Sequence, residues 1–182
     1  MLKKIKTSAQ NLTTTRGLVL TAMFIAMYAV LGIFKIPFAL QNRITLTFAA
    51  TSAAGIVIGP IPAMVVGAIG DILGYFLNPG GGVYFFGFTV SAMLGGLIYG
   101  ACLYKRTVER AIWWIILAVF LITCFVNIIL NTYWLSVMYQ KAYQFFALAR
   151  IIKNFAVFPL HVIVIFAVFM MVEKTGIRKK YL

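Results

Sequence analysis

Apolar residues fill this chain in long blocks separated by short breaks of charged, polar or Gly/Pro-containing sequence. Thr13, Thr14 and Thr15 offer capping hydroxyls ahead of the first block, which predicts a helix over 16–34 that stops at Lys35 and Pro37. A loop through Gln41, Asn42 and Arg43 leads to a helix over 44–58, built of small residues and short for a full crossing. Gly59-Pro60-Ile61-Pro62 reads as a tight break, with proline near the start of the next helix at 60–77. Asn78-Pro79-Gly80-Gly81-Gly82 is a loop suited to act as a flexible lid. Helices over 84–104, 111–138 and 143–172 follow, separated by the charged turn 105–110 and a few polar residues around Gln140. A bilayer crossing takes about 20 mostly apolar residues, because a helix rises ~1.5 Å per residue across a hydrocarbon core of ~30 Å. The pattern therefore predicts an all-α integral membrane protein, a six-transmembrane-helix bundle in which residues 1–182 form a single membrane domain.

Composition strengthens that picture. Of 182 residues, 63% are hydrophobic and 10% charged, and the mean hydropathy is +1.01. No polar stretch is long enough for a separate soluble domain, so enzymatic or energy-coupling machinery of ordinary size must sit on another chain. A net charge of +13 would suggest nucleic acid in a soluble protein. Here most Lys and Arg flank apolar runs, which argues against a nucleic-acid partner and instead orients the spans. The N-terminal segment, the 105–110 turn and the C-terminal tail carry eleven of them, against Lys35, Arg43 and Lys141 on the opposite side, so both termini are expected in the cytoplasm. The apolar run after Lys3, Lys4 and Lys6 is too long for a signal h-region and has no clear cleavage site, so it is expected to remain as the first span. Cys102 and Cys124 stand alone in apolar stretches without clustered His or acidic ligands, so neither a disulfide nor a metal site is expected.

Ionisable groups within spans cost about 2.5 to 3.5 kcal/mol and usually face a cavity or a partner. That singles out Asp71, Arg150 and Lys153. If the fifth and sixth helices form an antiparallel hairpin turning near Gln140 and Lys141, Asn131 lies level with Arg150 and Asn127 with Asn154. Asn127 and Asn131 are four apart, as are Arg150 and Asn154, so each pair shares a helix face and a polar ladder opens from the outside. Asp71 sits about two turns below the outer end of the third helix, roughly 10 Å deep. Tyr84, Phe85, Phe86, Tyr133 and Trp134 are available as aromatic walls. Together these residues describe an outward-facing pocket. Each also has a plain structural reading: Asp71 paired internally with Arg150 or Lys153, asparagines holding membrane helices together, aromatics forming an interfacial belt. His161, two residues after Pro159, is expected to be a packing histidine at a kink, and no catalytic residue or enzymatic activity is expected. Small residues four apart at Ala22 and Ala26, Ala49 and Ala53, Gly70 and Gly74, and Gly96 and Gly100 would let helices approach closely, and the stripe on the first helix could dock a partner membrane protein.

Several stretches, including Thr15-Arg16-Gly17-Leu18-Val19-Leu20-Thr21-Ala22, Arg43-Ile44-Thr45-Leu46-Thr47-Phe48 and Gly67-Ala68-Ile69-Gly70-Asp71-Ile72-Leu73-Gly74, resemble the S components of energy-coupling factor (ECF) vitamin transporters. Tyr84-Phe85-Phe86-Gly87-Phe88-Thr89-Val90-Ser91-Ala92, Asn131-Thr132-Tyr133-Trp134-Leu135 and Arg150-Ile151-Ile152-Lys153-Asn154 extend the resemblance, which covers nearly the whole chain and is greatest to the folate-specific branch. The resemblance implies a substrate-binding subunit of the bacterial cell membrane that captures folate or reduced folates from outside. It implies association with a transmembrane coupling protein and two cytoplasmic ATPases, which use the ATP, and no cofactor on this chain. Ala22 and Ala26 match the family's small-xxx-small pattern on helix one, which contacts the coupling protein. An S component for a different vitamin or precursor is the nearest rival, and an intramembrane enzyme, with Asp71 and His161 as the acid and base on offer, is the more distant one. One departure is that Phe48-Ala49-Ala50-Thr51-Ser52 stands where many S components carry a proline in helix two.

If the ligand is a folate, its pterin presents an amino and ring N–H edge that a carboxylate can bind through both oxygens, which suits Asp71, with Asn127 and Asn131 as alternatives. Its planar rings suit Tyr84 and Trp134. Its anionic glutamate tail would seek Arg43, Arg150 or Lys153, beside Asn154 on the polar ladder.

Overall fold

The computed structural model describes residues 7–10, 12–39, 42–78, 84–140 and 143–176, with side chains for all of these except 35–39, 42–44, 143–146 and 149. After a helical turn at 7–10, helix α1 spans Thr15–Ile33, an antiparallel hairpin pairs β1 (Lys35–Ala39) with β2 (Asn42–Thr45), and α2 spans Thr47–Val57. Helices α3 (Pro60–Leu77) and α4 (Phe86–Leu103) follow, then α5 (Val108–Tyr139) and α6 (Tyr143–Lys174). The 35–45 segment, expected as a loop running into a helix from residue 44, is a hairpin in which Ile36 opposes Ile44 and Lys35 opposes Thr45. Its β-branched residues favour extended backbone, and pairing the two strands satisfies their polar groups where a loop would leave them open. The glycine-rich stretch expected as a lid, 80–82, lies outside the described residues, as does Lys141.

Five helices among the described residues are long and apolar enough to cross a membrane: α1, α3, α4, α5 and the Arg150–Lys174 part of α6. Helix α2 has 11 residues, which at ~1.5 Å per residue covers only about half of a hydrocarbon core. Its residues from Ala50 to Val57 are all buried, so it lies inside the bundle rather than against lipid. The distribution of side chains is that of a membrane protein. Large apolar side chains point outward, as at Met23, Phe76, Trp113, Leu148 and Ile163, while Ala, Gly, Ser and Thr line many of the helix contacts. A larger apolar core gathers Ile56, Leu103, Ile115, Val119, Ile165 and Phe169 where α2, α4, α5 and α6 meet.

Helices α3 and α4 meet backbone to backbone. A Cβ on Gly67 would strike the Ala92 carbonyl, one on Gly96 the Ala63 carbonyl, and one on Gly100 the backbone of Pro60. The contacts climb the antiparallel pair in steps of three or four residues, from Pro60 with Gly100 through Ala63 with Gly96 to Gly67 with Ala92. One step further, Asp71 stands across from Thr89, and Thr89 Oγ1 donates to Asp71 Oδ2 at 2.7 Å. The small residues thus set the register that places the acidic side chain.

The other end of α3 is closed by a residue from the N-terminal segment. Gly59 takes φ +107°, open to glycine, and lets the chain turn from α2 into α3. Of the first N–H groups of α3, Pro60 and Pro62 have none, Ala63 N donates to Gly59 O at 3.2 Å, and Ile61 N donates to Ser8 Oγ at 3.1 Å. Ser8 is fully buried, and its hydroxyl donates in turn to Ile58 O at 3.4 Å.

Two outcomes follow for stability. Gly67→Ala should lower the melting temperature clearly, since overpacking against fixed backbone costs roughly 1–3 kcal/mol. Gly95→Ala, whose Cβ would meet open space, should be neutral or raise it by helix propensity. Thermal unfolding of both variants in detergent checks this, and equal melting temperatures would contradict the backbone contact. Ser8→Ala removes the acceptor of a buried N–H and should cost about 1 kcal/mol in the same assay, with Ser8→Thr closer to the parent.

Candidate functional site

Two chambers open between the helices and share a waist. The first, of about 270 Å³, is lined mainly by residues of α2 to α6, and the second, of about 220 Å³, lies toward the C-terminal ends of α1 and α3 and the N-terminal end of α4. Tyr28, Thr45, Thr47, Asp71 and Phe88 line both. The second chamber adds Tyr75, Tyr84 and Phe85, with the Tyr75 and Tyr84 rings 5.2 Å apart. The first adds Phe48, Thr51, Ser91, Asn127, Asn131, Lys153, Asn154 and His161. One chamber is therefore chiefly aromatic, and the other carries amides, hydroxyls and an ammonium.

Asp71 is held at the waist by a directed chain of hydrogen bonds. Because Thr89 gives its one hydroxyl proton to Asp71 Oδ2, the 2.6 Å contact between Tyr84 Oη and Thr89 Oγ1 must run from tyrosine to threonine. Thr89 is 1% exposed, so this chain is shielded from water, while the Asp71 carboxylate remains half-buried at the cavity. Tyr28 reaches the same waist from α1 because Gly70 leaves room for its ring. Thr45 and Thr47 join it from the hairpin and α2, their hydroxyls 2.9 Å apart.

On the far side, Lys153, Asn154, Val157 and His161 project from α6. They are spaced one, three and four residues apart, one face of a helix. Asn131 Nδ2 donates to Asn127 Oδ1 at 3.3 Å, so these two amides of α5 meet each other at the cavity wall. Asn131 Oδ1 is buried with no protein donor.

Most residues singled out from the sequence converge here: Asp71, Tyr84, Asn127, Asn131, Lys153 and Asn154 all line a chamber. Two do not. Trp134 lines neither chamber: its Nε1–H donates to Ser91 Oγ at 3.2 Å and its ring packs on Phe85 and against Gly87, locking α5 to α4. Arg150 also lines neither. Its Nη1 donates to the backbone carbonyl of Asn127 at 3.1 Å. Arg43 sits on β2 opposite Pro37, and its side chain lies outside the described residues. Ala22 and Ala26 are exposed on α1 beside Val19, Met23 and Val30.

Sequence reasoning passed over Tyr28, Thr45, Thr47, Phe48, Thr51, Phe88, Ser91 and His161. His161, expected as a packing residue at a kink, lines the first chamber with its ring 4.1 Å from that of Phe48. The available signal for part of the set was Thr47 and Thr51, four apart in a helix otherwise built of small residues. Among the described residues no three His, Cys, Asp or Glu side chains gather as metal ligands would. What the cavity offers among the described residues is hydrogen bonding of both polarities, one carboxylate, one ammonium and flat apolar walls, which suits holding an elongated, partly aromatic molecule.

Comparison with known proteins agrees with this architecture. The family described as ECF transporter, substrate-specific component, matches residues 16–173. Folate transporter FolT of Clostridium novyi (strain NT) is 39% identical over 140 residues, which is 76% of this chain and 78% of that protein. Folate transporter FolT of Leuconostoc mesenteroides subsp. mesenteroides is 35% identical over 157 residues, 81% of each chain. The solved structure "Crystal structure of FolT bound with folic acid" aligns with a TM-score of 0.74 at 35% identity, covering 85% of this chain and 91% of that one. With residues 16–173 matched by the family and relatives of 39% and 35% identity aligned over most of its length, the chain belongs to the substrate-specific components of ECF transporters.

Proposed function

We propose that this chain is a folate-binding S component. It captures folate or reduced folates at the outer face and delivers them through a transmembrane coupling protein and two cytoplasmic ATPases, without covalent chemistry or a cofactor of its own. The observation that carries this reading is the alignment, over 85% of the chain at 35% identity, with a structure titled as FolT bound with folic acid. The cavity supports it. Two chambers meeting at one carboxylate suit a ligand with a heteroaromatic head and a charged tail. Asp71, with Oδ2 already oriented by Thr89, presents a carboxylate suited to the amino and ring N–H edge of a pterin. Tyr84 and Phe88 offer ring faces, and Lys153, beside Asn154, is the cation that lines the cavity among the described residues, suited to the glutamate carboxylates.

In the membrane, α1 and α3 to α6 cross, and α2 enters as a sixth, buried helix between them. The excess of basic residues at the termini and at 105–110 supports a cytoplasmic position for both termini. The exposed face of α1 around Ala22 and Ala26 is the surface for the coupling protein, where small residues allow close helix contact. An S component for a different vitamin is the second reading, and direct titration separates the two.

Isothermal titration of the solubilised protein should show tight binding of folate. Asp71→Asn should weaken folate roughly tenfold or more, because it replaces an acceptor of two N–H groups by an amide that can accept only one. Lys153→Ala should weaken folate by about 10- to 100-fold but leave pteroate, which lacks the glutamate, nearly unchanged. Wild-type protein that ignores folates and binds another vitamin would overturn the assignment. Ala26→Trp should impair assembly with the coupling protein and uptake while sparing folate affinity, and lost affinity with intact assembly would contradict the role of that face.

A further inference from the structure

Helix α5 changes register as it passes the cavity. It is α-helical over Val108–Leu121, π-helical over Ile122–Leu130 and α-helical again over Asn131–Tyr139. Ile122, Val126, Asn127 and Asn131 all line the first chamber, and Ile122 also belongs to the apolar core. At about 3.6 residues per turn, the nine steps from Ile122 to Asn131 make roughly two and a half turns, so an unbroken α-helix would aim Asn131 opposite to Ile122. The i→i+5 bonding of a π segment widens the turn and brings residues five apart back toward one side, Ile122 with Asn127 and Val126 with Asn131. The π register is therefore what lets α5 bury Ile122 and still present both amides to the cavity.

Leaving that register has a cost at one backbone group. Asn131 N donates to Val126 O, five residues back. Bonding four back from the next residue reaches Ile128 and so passes over the carbonyl of Asn127. A carbonyl passed over in this way needs another donor. Arg150, arriving from α6, donates its Nη1 to that carbonyl at 3.1 Å.

We infer that Arg150 is a positioning residue: by serving the Asn127 carbonyl it holds α5 in its π register, which turns Asn127 and Asn131 into the chamber and reserves the buried Asn131 Oδ1 for an N–H of the ligand. This inference rests on the folate reading for its ligand, and it assigns Arg150 a part distinct from anchoring a carboxylate. The expected pattern therefore differs from that of Lys153. Arg150→Gln should weaken folate and pteroate by the same factor, roughly tenfold or more. Arg150→Lys, which keeps a charged donor on a longer side chain than Gln, should recover most of the loss for both. In an Asn131→Ala background, Arg150→Gln should cost less than in the parent, because the amide it aims is gone. Weakening of folate with pteroate unchanged would overturn the inference, as would fully additive losses.

A second measurement needs no ligand. With Cys102 and Cys124 replaced by Ser, Asn131→Cys should react with a water-soluble thiol reagent, and adding Arg150→Gln should slow that reaction about tenfold as the helix rotates. Unchanged labelling in folded protein, or no labelling with Arg150 present, would overturn the inference. Should Arg150→Gln fail to fold, the Arg150→Lys ratio of folate to pteroate affinity decides: unchanged supports positioning, shifted against folate refutes it. Wild-type protein that binds neither compound would remove the folate reading, while the labelling experiment would still judge Arg150.

Discussion

The contact on which the rest depends is the seam between α3 and α4, where Gly67, Gly96 and Gly100 bring two backbones together with no side chain between them. In a bilayer the lipid is as apolar as the protein interior, so helices gain little by hiding leucine from it, and close packing of small residues takes over as the adhesive. Such a seam has a single workable register, because each glycine must face the one backbone atom that its missing Cβ would strike. The first consequence of that register is polar: it sets Thr89 across from Asp71 and so fixes the orientation of the carboxylate at the cavity waist.

A second organising feature is that polar groups are ordered in pairs before any ligand arrives. Tyr84 serves Thr89, Thr89 serves Asp71, Asn131 serves Asn127, and Trp134 serves Ser91. In a low-dielectric surrounding an unserved donor or acceptor is expensive, so such groups hold each other in place. A cavity built this way presents its remaining lone pairs and protons in fixed directions, and a ligand need not organise it on entry.

Much of the frame was legible in the sequence because hydrophobic block length is set by bilayer thickness, and charged or Gly/Pro breaks mark where blocks end. The hairpin at 35–45 was not, since Ile44 and Thr45 run straight into the apolar stretch of α2 and carry no separate signal. Nor was Ser8, an ordinary residue in a basic segment whose partners lie 50 and 53 positions away. In the cavity, Asp71, Lys153 and the asparagines were legible because such groups are rare and costly inside a span. Tyr28, Phe48 and the threonines were not, because the same residues serve equally well as packing. The surroundings of Arg150 were not legible for a more specific reason: nothing in Ile-Thr-Cys-Phe-Val-Asn-Ile-Ile-Leu announces the π segment that contains Asn127, whose carbonyl Arg150 meets.

The seam also divides the protein by how freely it can change over evolutionary time. Backbone packed on backbone tolerates no enlargement at Gly67, Gly96 or Gly100, whereas the lipid-facing perimeter can exchange one aliphatic or aromatic residue for another at little cost. Between these extremes stands the wall formed by the hairpin and α2, which contributes Thr45, Thr47, Phe48 and Thr51 to the cavity. A lineage acquiring a taste for a different cargo could therefore rewrite that wall while leaving the scaffold opposite it untouched, so one rigid half can serve as the chassis for many specificities.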